Sequence, residues 1–209
     1  EGGLSVLGTS GVVEPMSEQA IVDTIGVELR QAFCACPQGR LILTPGNYGA
    51  DFLAANGLDA LGVPVVRCSN FIGEALDMAA AEGFSAVLLV GHIGKLVKLA
   101  GGIMNTHSRS ADCRTELFCA HAAAAGASTA LCRALLDAPT TDACIALLDT
   151  AGLRAAVLDS LTAAAQRHLE RRAAGAYRVG VGLFSNEYGP LGASPAALEL
   201  IGQWRNDRQ

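Results

Sequence analysis

Val87-Leu88-Leu89-Val90-Gly91-His92-Ile93-Gly94-Lys95 passes from an unbroken apolar run into a glycine-spaced polar turn. A strand-length run with no polar alternation marks a strand covered on both faces, the usual state of a parallel sheet. Residues 41–43 and 63–66 repeat the pattern upstream, 179–184 repeat it downstream, and 4–7 form a shorter first copy. Helical patterns separate them. Ser17 stands where an N-cap belongs, ahead of Ile21, Ile25, Leu29 and Phe33 at four-residue spacing. A second helix brings alanines and Leu76 toward the sheet and is closed by Gly83. This alternation predicts an α/β fold: a parallel, Rossmann-like sheet of about five strands flanked by helices. From about 111 to 175 only helical patterns occur, broken at Gly126, Pro139 and Gly152, so an all-helical insert is expected before the last strand. Residues 1–209 are expected to form a single α/β domain.

The composition narrows the function. With 51% hydrophobic and 17% charged residues the chain suits one compact soluble domain, and no apolar run approaches the ~20 residues of a membrane span. A net charge of −5 argues against a nucleic-acid partner. The seven cysteines form no CxxC pair, which suits free thiols in the cytoplasm, and Cys34-Ala-Cys36 reads as a helix end. The run Arg167-His168-Leu169-Glu170-Arg171-Arg172 reads as a cationic last turn complementing a helix dipole.

The polar residues concentrate after the strands. Gly8-Thr9-Ser10-Gly11, Thr44-Pro45-Gly46-Asn47-Tyr48-Gly49, Cys68-Ser69-Asn70-Phe71-Ile72-Gly73, Gly91-His92-Ile93-Gly94-Lys95 and Phe184-Ser185-Asn186-Glu187-Tyr188-Gly189 each follow a predicted strand. In a parallel sheet they share the carboxyl edge, where open α/β sheets bind ligands. Known phosphate and dinucleotide fingerprints do not fit: Leu89 and Leu96 stand where a P-loop needs Gly and Ser or Thr. The only two lysines, Lys95 and Lys98, share a helix face, and Asn105, Thr106, Arg109 and Arg114 follow closely. Such a cationic stretch in an acidic chain suits a polyanionic ligand held by charge-assisted hydrogen bonds, although Lys98 can equally be a solvated helix residue. His92 and His107 lack neighbours that would complete a metal site, so no metal is expected, and each fits acid–base work or a ligand hydrogen bond. Glu14 fits either a helix N-terminal acid or a site residue.

Four blocks carry a family resemblance. Gly8-Thr9-Ser10-Gly11-Val12-Val13-Glu14-Pro15-Met16-Ser17, Pro45-Gly46-Asn47-Tyr48-Gly49, Ser69-Asn70-Phe71-Ile72-Gly73-Glu74 and the long run from Leu88 through Arg109 resemble the cobalt-precorrin-5B C1-methyltransferases of the anaerobic cobalamin pathway. The resemblance is close from Leu4 to about Glu116 and looser beyond. It implies S-adenosylmethionine as methyl donor and a polyanionic cobalt-corrin precursor as acceptor, with cobalt-precorrin-6A as product. On that basis Gly8, Thr9, Ser10, Gly11, Gly46, Asn47, Ser69 and Asn70 are expected around the donor. Lys95, Lys98, Asn105, Thr106, Arg109 and Arg114 are expected on the substrate, and His92 or His107 is expected to manage a proton. A homo-oligomer is left open. Members of the family are longer, so the chain is expected to be their C-terminal portion, without their N-terminal domain. Two rival readings stand beside this one: an α/β enzyme acting on a phosphorylated or nucleotide substrate, and a non-catalytic tetrapyrrole-binding module.

Overall fold

The computed structural model describes residues 17–46 and 48–208. The expected strand at 4–7 and the loop 8–11 lie outside them, as does Glu14. Helix α1 (Glu18–Ala35) opens the described chain, capped by the Ser17 hydroxyl, which accepts from the Ala20 amide. It leads to β1 (Arg40–Thr44), α2 (Tyr48–Ala55), β2 (Val65–Arg67), α3 (Ile72–Glu82) and β3 (Ala86–His92). A short helix α4 (Ile93–Leu96) and a 3-10 turn (Val97–Gly101) follow. Four helices come next: α5 (Arg114–Ala124), α6 (Thr129–Leu136), α7 (Thr141–Thr150) and α8 (Arg154–Ala173). Strands β4 (Arg178–Ser185) and β5 (Gly189–Ala193) and helix α9 (Pro195–Asn206) complete it.

The five strands form one sheet in the order β2-β1-β3-β4-β5. The first four are parallel and β5 is antiparallel to β4. The sheet is therefore mixed, where a parallel one was expected. Gly189-Pro190-Leu191-Gly192-Ala193 lacks the branched residues that announce a strand, and it pairs because residues 186–188 close a hairpin back onto β4. Pro190 is tolerated there because β5 is an edge strand.

The apolar runs read as doubly covered strands are doubly covered. Leu41, Leu43, Val87, Leu89, Val179 and Val181 belong to a core shared with α1, α3, α5 and α8. Ile42, Leu88, Val90 and Phe184 belong to the opposite core, with Leu53 of α2 and Ala197, Leu200 and Trp204 of α9. Successive side chains thus serve opposite layers. A glycine on β4 makes the second layer fit. At Gly180 an added Cβ would stand 2.5 Å from both N and Cα of Ala197. Those are backbone atoms of α9 and cannot rotate away. Gly180→Ala is expected to cost about 1–3 kcal/mol of stability by forcing α9 off the sheet, read as a lower denaturant midpoint. Gly182→Ala, whose Cβ would meet only Val90 at 3.8 Å, is the control expected to change little.

Candidate functional site

The strand order sets the site. After β1 the chain leaves through α2 on one face to reach β2, and after β3 it leaves on the other face toward the α5–α8 helices. The two connections diverge, and a crevice opens between the carboxyl ends of β1 and β3, the switch point where ligands of open α/β sheets bind. A cleft of about 520 Å³ occupies it. Pro45, Gly46, Tyr48 and Gly49 line it after β1, His92 and Lys95 after β3, and Phe184 and Asn186 at the end of β4.

Glycine lets the first wall close in. A Cβ on Gly49 would collide with the Thr44 hydroxyl, and one on Gly91 would stand 2.9 Å from Pro45. Thr44 is fully buried, and its Oγ1 has no hydrogen-bond partner among the described residues. A second hollow, of about 220 Å³, meets the cleft at Gly46 and is lined by Ser69, Arg67 and four α1 residues. Ser69 has φ +52, a left-handed conformation unusual for a residue with a side chain. Asn47 lies outside the described residues.

His92 caps α4: its Nδ1 accepts from the Gly94 amide at 3.0 Å, and its ring meets Phe184 edge-on. With Nδ1 so engaged, the neutral ring keeps its proton on Nε2 and presents a donor. Burial pushes the His92 pKa below its ordinary value, and the Asp142 carboxylate partly opposes this. Lys95 has no salt-bridge partner among the described residues, and its Nζ stands over the bare face of Gly46. Burial lowers its pKa, the neighbouring Lys98 adds repulsion, and Cys68 opposes both. The Cys68 thiol is itself pushed up to about 12 by burial, so at neutral pH it is no counter-ion.

The other residues expected at the site form a separate node. Lys98 is buried, and its ammonium donates to the carbonyls of Thr106 (3.1 Å) and Ala111 (2.6 Å), with Asp112 4.0 Å away. The Thr106 amide donates to the Asn70 carbonyl and its hydroxyl to Asn70 Oδ1, while Asn105 bridges to Phe71. Asn105 Oδ1 accepts from the His107 amide, and His107 Nδ1 accepts from the Arg109 amide. These contacts tie the loop after β2 to loop 103–113. Lys98, Asn70, Asn105, Thr106 and His107 are occupied in holding that loop, and none lines the cleft. Arg109 is 76% exposed and pairs with Glu18 at 3.2 Å. Arg114 forms a two-pronged pair with Asp112, which holds that carboxyl below its usual range. Of the cations expected on the substrate, only Lys95 faces the cleft. Phe184, Tyr48 and Asn186 are lining residues that were visible only as parts of polar loops.

Residues 105–195 match the family model described as CbiD, C-terminal domain. The chain is 44% identical over 188 residues to a cobalt-precorrin-5B C(1)-methyltransferase of Ruminiclostridium cellulolyticum, covering 88% of the chain and 48% of the relative. It is 38% identical to the proteins of that name from Alkaliphilus metalliredigens and Moorella thermoacetica, covering 96% and 100% of the chain and 52% and 56% of the relatives. The chain is related to the cobalt-precorrin-5B C(1)-methyltransferase family. The resemblance read from the sequence is borne out, and the chain spans about half the length of the curated relatives it matches. No solved structure matches it.

Two outcomes follow for the lysines and for His92. Lys98→Ala leaves the buried Thr106 carbonyl and the half-buried Ala111 carbonyl without their ammonium donor, so stability is expected to fall by about 1.5–3 kcal/mol, with faster proteolysis in loop 103–113. Lys95→Ala is expected to stay within about 0.5 kcal/mol of the parent in the same denaturation experiment. For His92 the folded pKa lies below the unfolded value of 6.5. Below about pH 6.5 the unfolded chain therefore binds more protons, and stability falls as pH falls. His92→Gln is expected to make that acid-side decline shallower, measured by denaturant midpoints across the range. His121, whose pKa is lowered by burial and then by the Arg167 charge, contributes to the part that remains.

Proposed function

We propose that the cleft between β1 and β3 binds S-adenosylmethionine and that the chain serves methyl transfer to C1 of cobalt-precorrin-5B, giving cobalt-precorrin-6A in anaerobic cobalamin biosynthesis. One observation carries the reading: relatives bearing that activity in their name match the chain nearly end to end, and its carboxyl sheet edge holds a cleft of small-molecule size. In this reading the chain is a single α/β domain acting in the cytoplasm. Its sheet is a Rossmann-like donor platform, and α5–α8 are an insert that contributes to acceptor binding. No helix among the described residues is long and apolar enough to cross a membrane.

The residues present fit the donor. Lys95, without a salt-bridge partner among the described residues, offers its ammonium to the donor's carboxylate. Tyr48, an exposed residue of the cleft lining, offers an aromatic face to a sulfonium cation. The orphaned Thr44 hydroxyl lies at the base of the Gly49 wall. When bound, the donor supplies an electrophilic methyl group. The chain supplies alignment and exclusion of water, since transfer from a sulfonium needs little covalent assistance. His92, donating through Nε2, orients rather than deprotonates, because protonating Nδ1 would break its cap on Gly94. The acceptor, a wide macrocycle with a carboxylate rim, is placed across the mouth of the cleft. Arg109, on loop 103–113, can exchange its exposed Glu18 partner for a substrate carboxylate at little cost.

Calorimetry with S-adenosylmethionine tests the donor half. Binding is expected, and Lys95→Ala is expected to weaken it about tenfold, the value of one hydrogen bond to a charged group. Incubation of the full-length protein with cobalt-precorrin-5B and the donor, followed by mass spectrometry, is expected to show one added methyl. Absence of donor affinity together with saturable binding of a nucleoside phosphate would overturn the reading in favour of a nucleotide-dependent enzyme.

A further inference from the structure

The third wall of the cleft is built from outside the sheet. Asn186 lines the cleft from the turn between β4 and β5. That turn is organised by Ser185, whose buried hydroxyl accepts from the amides of Glu187 (3.0 Å) and Tyr188 (3.3 Å). The hydroxyl has one proton to give, and it donates to Asp142 Oδ1 at 2.6 Å. Asp142 lies in the first turn of α7, where the helix dipole favours a carboxylate. The start of α8 grips the same turn. Arg154, paired with Asp149 at 3.0 Å, lies over the Tyr188 ring with its guanidinium 4.9 Å from the centroid. Two consecutive helices of the 105–195 region, α7 through Asp142 and α8 through Arg154, therefore clamp the loop that carries a cleft residue. The fixed orientation of the Ser185 hydroxyl is the key to this: with Asp142 as acceptor, its lone pairs are left to the two turn amides.

We propose that Asp142 is a positioning residue, which through Ser185 holds the 185–188 turn and so places Asn186 in the cleft wall beside His92. This rests on the reading of the cleft as the donor site only for the identity of the ligand. The Asp142 carboxylate has a second effect through space, since it favours the charged form of His92. Lys95 of α4 shares the cleft lining with that ring, and Asp142 is the charged group whose effect on His92 is resolved.

Two variants separate geometry from charge. Asp142→Asn keeps an oxygen acceptor for Ser185 and removes the charge, whereas Asp142→Ala removes both. In NMR spectra of the ligand-free chain, Asp142→Ala and Ser185→Ala are expected to move the amide resonances of residues 186–188 in the same way. Asp142→Asn is expected to leave them near the parent positions while the His92 imidazole titrates at lower pH. With S-adenosylmethionine in the calorimeter, Asp142→Ala and Ser185→Ala are each expected to weaken binding about tenfold, their double variant no further, and Asp142→Asn less than threefold. Unmoved 186–188 resonances in a folded Asp142→Ala, or equal damage from Asp142→Asn and Asp142→Ala, would overturn the assignment. If the parent chain binds no S-adenosylmethionine, the donor reading fails, and the resonances alone decide the role of Asp142.

Discussion

β3 is covered on both faces and hydrogen-bonded on both edges, and the rest of the molecule is arranged around that constraint. Val87 through Val90 exclude every polar group from the centre of the sheet. Chemistry can only begin where the strand ends, at Gly91 and His92. Its neighbour β1 pairs in register with it, Arg40–Leu43 against Ala86–Leu89, and ends slightly short of it at Thr44. The connections after these strands go to opposite faces, as right-handed crossovers running in opposite directions require. The crevice between them is thus a consequence of burial and chain direction, and the cleft residues are those that the two strands release there.

Much of this was legible in the sequence. Apolar runs located β1, β3 and β4 to within a few residues, and the polar loops behind them marked the carboxyl edge on which the cleft lies. The helical stretch between β3 and β4 was also readable. β5 was not, because Gly189–Ala193 owes its extended form to pairing with β4 rather than to its own side chains. The clamp from α7 was equally hidden. Asp142 and Ser185 are 43 positions apart, and nothing local to either sequence reports the other.

Lys95 and Lys98 show most clearly where sequence reasoning stops. Their i, i+3 spacing suggested one shared cationic face, yet they have different partners. Lys95 sits at the end of a buried strand, above a glycine and beside a thiol that stays neutral, so its charge meets no salt-bridge partner among the described residues. Lys98 lies in the 3-10 turn, where loop 103–113 folds back and surrounds its ammonium with carbonyl oxygens. Periodicity specifies the direction of a side chain, whereas its role depends on which backbone oxygens a distant loop brings to it. The same holds for Asn70, Asn105 and Thr106, whose polar side chains are used to lock two loops together.

This division of labour bears on how a polyanion could be handled. A single ammonium in a half-closed cleft can balance one carboxylate, and adding more buried cations there would be costly without anions to pair with them. A ligand with many carboxylates must then be met by charges that remain in water, where desolvation is small and partners exchange readily. Arg109, exposed and only loosely held by Glu18, is of that kind, whereas Lys98 is not. The node around Lys98 nevertheless contributes indirectly: by fixing loop 103–113 it fixes the base from which Arg109 projects. On the proposed reading, the buried lysine therefore serves acceptor binding through the loop it holds, and the cleft itself is left to the smaller ligand.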